Sequence, residues 1–65
     1  MNTEIMASRL KELRGNKTQK EIADAIDLKQ STYAMYESGK RVPSDENKVK
    51  IAAYFGTTVQ ELFFA

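Results

Sequence analysis

Thr18 to Arg41, TQKEIADAIDLKQSTYAMYESGKR, is the stretch whose reading decides the fold. Its apolar residues are Ile22, Ala23, Ile26, Leu28, Tyr33 and Tyr36. The spacing is helical up to Ile26, breaks, and resumes from Tyr33 to Tyr36. Thr18 followed three residues later by Glu21 makes a capping box, which starts a helix. Gly39 after Ser38 stops a second one. Between them Asp27 falls where the chain must reverse, and Asp tolerates a left-handed backbone better than most non-glycine residues. The stretch therefore predicts two short helices joined by a tight turn.

Ala23 is small where the two helices need to approach closely. Ile26, Leu28, Tyr33 and Tyr36 are then expected to share one core. That leaves Gln30, Ser31, Ala34 and Met35 on the other face of the second helix. This face is small or polar and carries no acid, so it can enter a DNA major groove without repulsion from phosphates.

With that pair of helices in place, the chain resembles the phage repressor and Cro-type helix-turn-helix regulators. The resemblance runs from Arg9 to Phe63. It is carried by RLKELR at 9–14, TQKEIADAI at 18–26, STYAMYESGKRVPS at 31–44, KIAAYFG at 50–56 and TTVQELF at 57–63, in that order. It implies an all-α, compact five-helix, lambda-repressor-like domain over 1–65, with the helix-turn-helix at helices two and three (18–38). Sequence-specific binding to a double-stranded DNA operator, as a homodimer, is the activity it implies. A transcriptional regulator of repressor type would act by occupying that operator. An alternative is a protein-interaction module, antitoxin-like or adaptor-like, with DNA binding secondary.

Composition agrees with a small binding domain. Sixty-five residues allow one domain, and folding at this size buries only about 60% of the unfolded surface. There is no cysteine and no histidine, which removes nearly all zinc chemistry and the commonest general base. No catalytic constellation, metal site, cofactor site or small-molecule substrate is expected. A cytoplasmic protein without membrane contact follows, since no apolar run approaches the ~20 residues of a span. A chain this short is expected to hold no separate effector domain. The formal charge is only +1, so the placing of charge matters more than its sum. Lys29, Lys40 and Arg41 flank the proposed reading helix, with Lys17 and Lys20 near the start of the helix before it.

The rest of the chain supplies the supports. Met1 to Glu4 is expected to be loose, with Asn2 or Thr3 as an N-cap. Ile5, Met6, Leu10 and Leu13 give a first amphipathic helix ending at Arg14, before Gly15-Asn16. The resemblance pairs Arg14 with Glu37, a structural ion pair that ties helix one to helix three. It also places Gln19 against a DNA phosphate, beside the outward N–H groups of the second helix. Gln30 matches a position that commonly reads a base, and a glutamine amide can bond the N6 and N7 edge of adenine. Ser31 suits a base or a phosphate. Ala34 and Met35 can touch thymine methyl groups, although Met35 lies between inward tyrosines and can also fill core. Lys29 stands where the family prefers a Ser or Thr cap. Lys29, Lys40 and Arg41 are candidate phosphate contacts.

Beyond Pro43, Ser44 caps a fourth helix whose apolar residues are Val49, Ile51, Ala52 and Phe55. Asp45 and Lys48 are charged where the family often has apolar residues, so that surface is expected to be solvated. Thr58 and Glu61 form another capping box, opening a short last helix with Val59, Leu62 and Phe63. Phe63 and Phe64 cannot share a direction. Leu62, Phe63 and Phe64 are the candidate dimer surface, or else fold back on Leu10 or Leu13.

Overall fold

The structure, a computed structural model, describes residues 2–64. Five helices follow one another: α1 (Thr3–Arg14), α2 (Gln19–Ala25), α3 (Gln30–Glu37), α4 (Asp45–Phe55) and α5 (Gln60–Phe64). No strand occurs among the described residues. Met1, the first part of the stretch expected to be loose, lies outside them. The rest of that stretch is ordered: the Asn2 side chain accepts from the N–H groups of Glu4 and Ile5, at 2.9 and 3.1 Å, and helix begins at Thr3. Two orphan donors of the first turn are thereby satisfied.

One core holds all five helices. Met6 and Leu10 of α1, Ile22 and Ala23 of α2, and Ile26 just after it are buried together. They meet Tyr33 and Tyr36 of α3, Ile51 and Ala52 of α4, and Leu62 and Phe63 of α5. Leu28, Tyr54, Phe55 and Val59 pack against this cluster, partly buried. The helix-turn-helix residues expected in the core are there.

Four outer positions, Ile5, Leu13, Lys48 and Val49, differ from expectation. Ile5 and Leu13 are 47% and 43% exposed, and Ala7 is buried in their place. Helix α1 rests chiefly on α3, and a methyl side chain at Ala7 permits closer approach there than a branched one would. Val49 is 58% exposed, so the buried stripe of α4 runs through Lys48, Ile51 and Ala52 instead. Lys48, expected to be solvated, has its side chain only 10% exposed. Its Nζ stands 4.8 Å from the Phe64 ring centre, 5.9 Å from that of Phe63 and 3.9 Å from Asp45 Oδ1. The aliphatic stem covers core while the ammonium rests on aromatic faces, which a lysine can do and a short charged residue cannot.

Three helices end in the same way. After α2, α3 and α4 a residue at positive φ lets the next N–H reach back five residues along the helix. Leu28 N–H donates to the Ala23 carbonyl at 2.8 Å, Lys40 to Met35 at 3.1 Å and Thr57 to Ala52 at 3.0 Å. The residues in the left-handed position are Asp27 (φ 58°), Gly39 (φ 75°) and Gly56 (φ 70°). At Gly39 space is also short: a Cβ there would lie 3.3 Å from the Thr3 carbonyl oxygen. The end of α3 is thus pressed on the start of α1.

The last helix opens as expected, with Glu61 N–H donating to Thr58 Oγ1 at 3.0 Å. It is wound more widely than an α-helix, as a π-helix. Arg9 donates from one guanidinium nitrogen to the carbonyls of Glu61 and Leu62, at 3.1 and 3.3 Å. These late carbonyls otherwise lack a donor at the helix end.

Candidate nucleic-acid interface

The candidate reading face is built on α3. Tyr33 and Tyr36 are fully buried on one side of that helix. Gln30, Ser31 and Met35 are therefore turned outward and exposed, with Ala34 half-buried among them. Met35 is 43% exposed, which decides its role: it is a surface side chain, not core filler. Lys29 precedes the helix and supplies no side-chain cap, as expected where a Ser or Thr is replaced. At the other end, Lys40 N–H and Arg41 N–H both donate to the Met35 carbonyl, at 3.1 and 3.3 Å. Their main chain is thereby fixed beside the last turn of α3, and both side chains are exposed. Lys29, Lys40 and Arg41 form no ion pair among the described residues. The two earlier cations are engaged. Lys20 Nζ pairs with Asp24 at 2.8 Å, and Lys17 Nζ donates to the Tyr54 hydroxyl at 3.0 Å.

Behind this face lies a charged hub. Glu37 sits on the inner side of α3 with 1% exposure. Arg14 Nε donates to one carboxylate oxygen at 2.8 Å and Gln19 Nε2 to the other at 3.1 Å. Arg14 also donates to the Lys17 carbonyl at 2.9 Å. The end of α1, the loop after it, the start of α2 and the end of α3 are thus joined through three side chains, those of Arg14, Gln19 and Glu37. Burial alone would push the Glu37 carboxyl up; the bonds from Arg14 and Gln19 outweigh it and hold it below its ordinary range. The same bond to Glu37 raises Arg14. The Tyr33 hydroxyl is buried beside this site without a hydrogen-bond partner among the described residues. Burial first, then its close contact with the Glu37 carboxylate and that group's charge, push its ionisation well above the usual phenol value. Tyr36 is better served: its hydroxyl accepts from Asn47 Nδ2 at 3.1 Å.

Two features were not legible in the sequence. Gln19 is half-buried and commits one amide N–H to Glu37, whereas it was expected to face a phosphate. Asn47 supports the reading helix from α4, and only the tertiary packing brings it to Tyr36. The candidate dimer surface also needs correction. Leu62 and Phe63 are 2% and 4% exposed and belong to the chain's own core; of the three only Phe64, at 53%, offers free apolar surface. A three-strong acidic or His cluster fit to hold a metal is absent among the described residues. No helix there is long and apolar enough to cross a membrane.

A helix with an acid-free outer face, flanked by unpaired cations and buttressed by a second helix across a tight turn, is the reading unit of a DNA-binding helix-turn-helix domain. Comparison with known proteins agrees. A helix-turn-helix family model matches residues 10–62, and the chain belongs to that family. It is 45% identical over 47 residues to the cryptic phage CTXphi transcriptional repressor RstR of Vibrio cholerae, a match covering 72% of this chain and 42% of that protein. It is 44% identical over 59 residues to control protein C.MunI of a Mycoplasma species, covering 86% of this chain and 80% of that one. To the HTH-type transcriptional regulator AnsR of Bacillus subtilis it is 46% identical over 56 residues, covering 83% of this chain and 48% of AnsR. The chain thus spans under half the length of RstR and AnsR and most of C.MunI. No solved structure gives a significant match.

Proposed function

We propose that this chain is a sequence-specific regulator that binds double-stranded operator DNA and acts by occupying it, in the manner of a repressor. The observation that carries the reading is the face of α3. Gln30, Ser31 and Met35 are exposed together, with Lys29, Lys40 and Arg41 unpaired around them. In this reading Gln30 bonds an adenine edge and Ser31 contacts a base or phosphate. Ala34 and Met35 supply apolar contact. Lys29, Lys40 and Arg41 hold phosphates and set the register, as does the remaining N–H of Gln19. The Arg14–Glu37 pair positions the reading helix. A single domain over 1–65 suffices for these contacts, and the site of action is the cytoplasm. Binding as a homodimer places two half-sites one helical turn, about 34–36 Å, apart. Exposed Phe64 is the residue on which the dimer surface would centre.

Selection of bound duplexes from a randomised pool at near-physiological salt tests this. The expected product is an inverted repeat with half-sites one turn apart. A single enriched half-site would remove the dimer and keep base reading. Folded protein that enriches nothing would refute the proposal.

A further inference from the structure

We infer that Met35 reads the C5-methyl group of a pyrimidine, and that binding therefore responds to cytosine methylation. The inference rests on the reading of α3 as the helix that enters the major groove. Within that reading the surface of α3 is unusual in what it lacks. Gln30 is the one exposed side chain on it with a bidentate amide. Five residues on, about 7.5 Å along the helix axis, stands Met35. Its side chain is 43% exposed while its inward neighbours Tyr33 and Tyr36 are 0% and 1% exposed. Its carbonyl is held by three donors, the N–H groups of Lys40 and Arg41 and the Ser38 hydroxyl, the last at 3.0 Å. A fixed main chain thus presents a long, apolar side chain to whatever the helix meets. Ala34 is half-buried and one carbon long, so reach belongs to Met35.

A thioether donates no hydrogen bond and accepts only weakly. In the major groove thymine shows an O4 acceptor and cytosine an N4–H₂ donor, and thymine adds its C5-methyl. Met35 has no group with which to distinguish O4 from N4–H₂. What it can register is whether a methyl stands on C5. Thymine and 5-methylcytosine carry that methyl on the same ring carbon; uracil and cytosine lack it. To this side chain the first two are alike and so are the last two. A half-site position met by Met35 would thus accept 5-methylcytosine in place of thymine and discount unmethylated cytosine.

The test uses the full chain and the duplex obtained by selection. At each pyrimidine of one half-site, affinity is measured in two pairs, thymine against uracil and 5-methylcytosine against cytosine. Each pair changes only the methyl, so the partner base and its contacts stay constant. At one position both pairs should differ by about fourfold in favour of the methyl, the worth of one buried carbon. In Met35→Ala, whose fold is checked by circular dichroism, both ratios should fall to near one; in Met35→Leu they should largely persist. Ratios near one at every pyrimidine, or ratios unchanged in Met35→Ala, would overturn the inference. Binding of the unmodified duplex separates the two readings: tight binding with flat ratios removes only the methyl reading, whereas no binding removes the function as well.

Discussion

Replacing Glu37 by Gln is the most informative perturbation of this fold. The change keeps side-chain shape and removes the charge from a group that is 1% exposed. The carboxylate now accepts from Arg14 Nε at 2.8 Å and from Gln19 Nε2 at 3.1 Å. A glutamine at 37 can turn its carbonyl to one of these donors but must turn its own NH₂ toward the other. One hydrogen bond is lost and the charge-assisted one is weakened. A bond to a charged group contributes about 1.5–3 kcal/mol and a neutral one about 1 kcal/mol. The Arg14 side chain is 25% exposed, so water recovers part of its solvation and the full penalty of an orphaned buried charge does not apply. A loss of about 2 kcal/mol is expected, a large share of the ~3–5 kcal/mol that so small a core supplies. In thermal unfolding followed by circular dichroism, that corresponds to a fall in Tm of roughly 8–16 °C.

The same variant carries a pH signature. Glu37 is held below its ordinary range in the folded chain, so the unfolded chain binds that proton more readily. The stability it contributes is complete above the unfolded value of about 4.3 and is lost as pH falls through the folded value. Wild type and Glu37→Gln should therefore differ most at neutral pH and converge in acid. A difference under about 0.5 kcal/mol at pH 7, or one that stays constant into acid, would refute the account of Glu37 as a charged hub.

Four further expectations follow from single observations. Tyr33→Phe should change stability by under about 1 kcal/mol in urea unfolding, because the buried hydroxyl it removes makes no hydrogen bond of ordinary geometry among the described residues and gives up only its contact with the Glu37 carboxylate. Asp27→Gly should stabilise by about 0.5–1 kcal/mol in the same assay, since Asp27 holds φ 58° and a glycine adopts that backbone without a Cβ penalty; a loss would mean its side chain has a role not visible in its geometry. Lys40→Ala should weaken all duplexes about equally and lower the salt slope by about one, whereas Gln30→Ala should cost roughly 1–3 kcal/mol on the selected site and relax its sequence preference; equal losses on every sequence would mean Gln30 reads no base. Peroxide should convert exposed Met35 to its sulfoxide well before Met6, which is 1% exposed, with duplex binding weakened in step and Met35 protected by bound DNA under peptide mapping; Met6 oxidising first, or DNA giving Met35 no protection, would place Met35 off the interface.

Local rules determined much of this protein from sequence alone. Thr18, Ser44 and Thr58 start helices because a hydroxyl accepting a backbone N–H acts within four residues, and Gly39 and Gly56 end them because the left-handed position needs no distant partner. Asp27 was legible as the reversal for the same reason. Periodicity placed Ile22, Ile26, Tyr33 and Tyr36 in the core and so turned Gln30, Ser31 and Met35 outward. What only the tertiary structure decided depends on residues far apart in the chain. Ala7 rather than Leu13 faces the core because α1 settles on α3 at close range. Lys48 is buried because two aromatic rings from α5 arrive over it, and Leu62 and Phe63 are core rather than contact surface because α4 and α1 enclose them. Gln19 commits one amide N–H to Glu37 because the start of α2 and the end of α3 meet across 18 residues. Hydrophobic spacing names the faces of each helix; only their packing together fixes which apolar residues each face buries and which polar groups find one another.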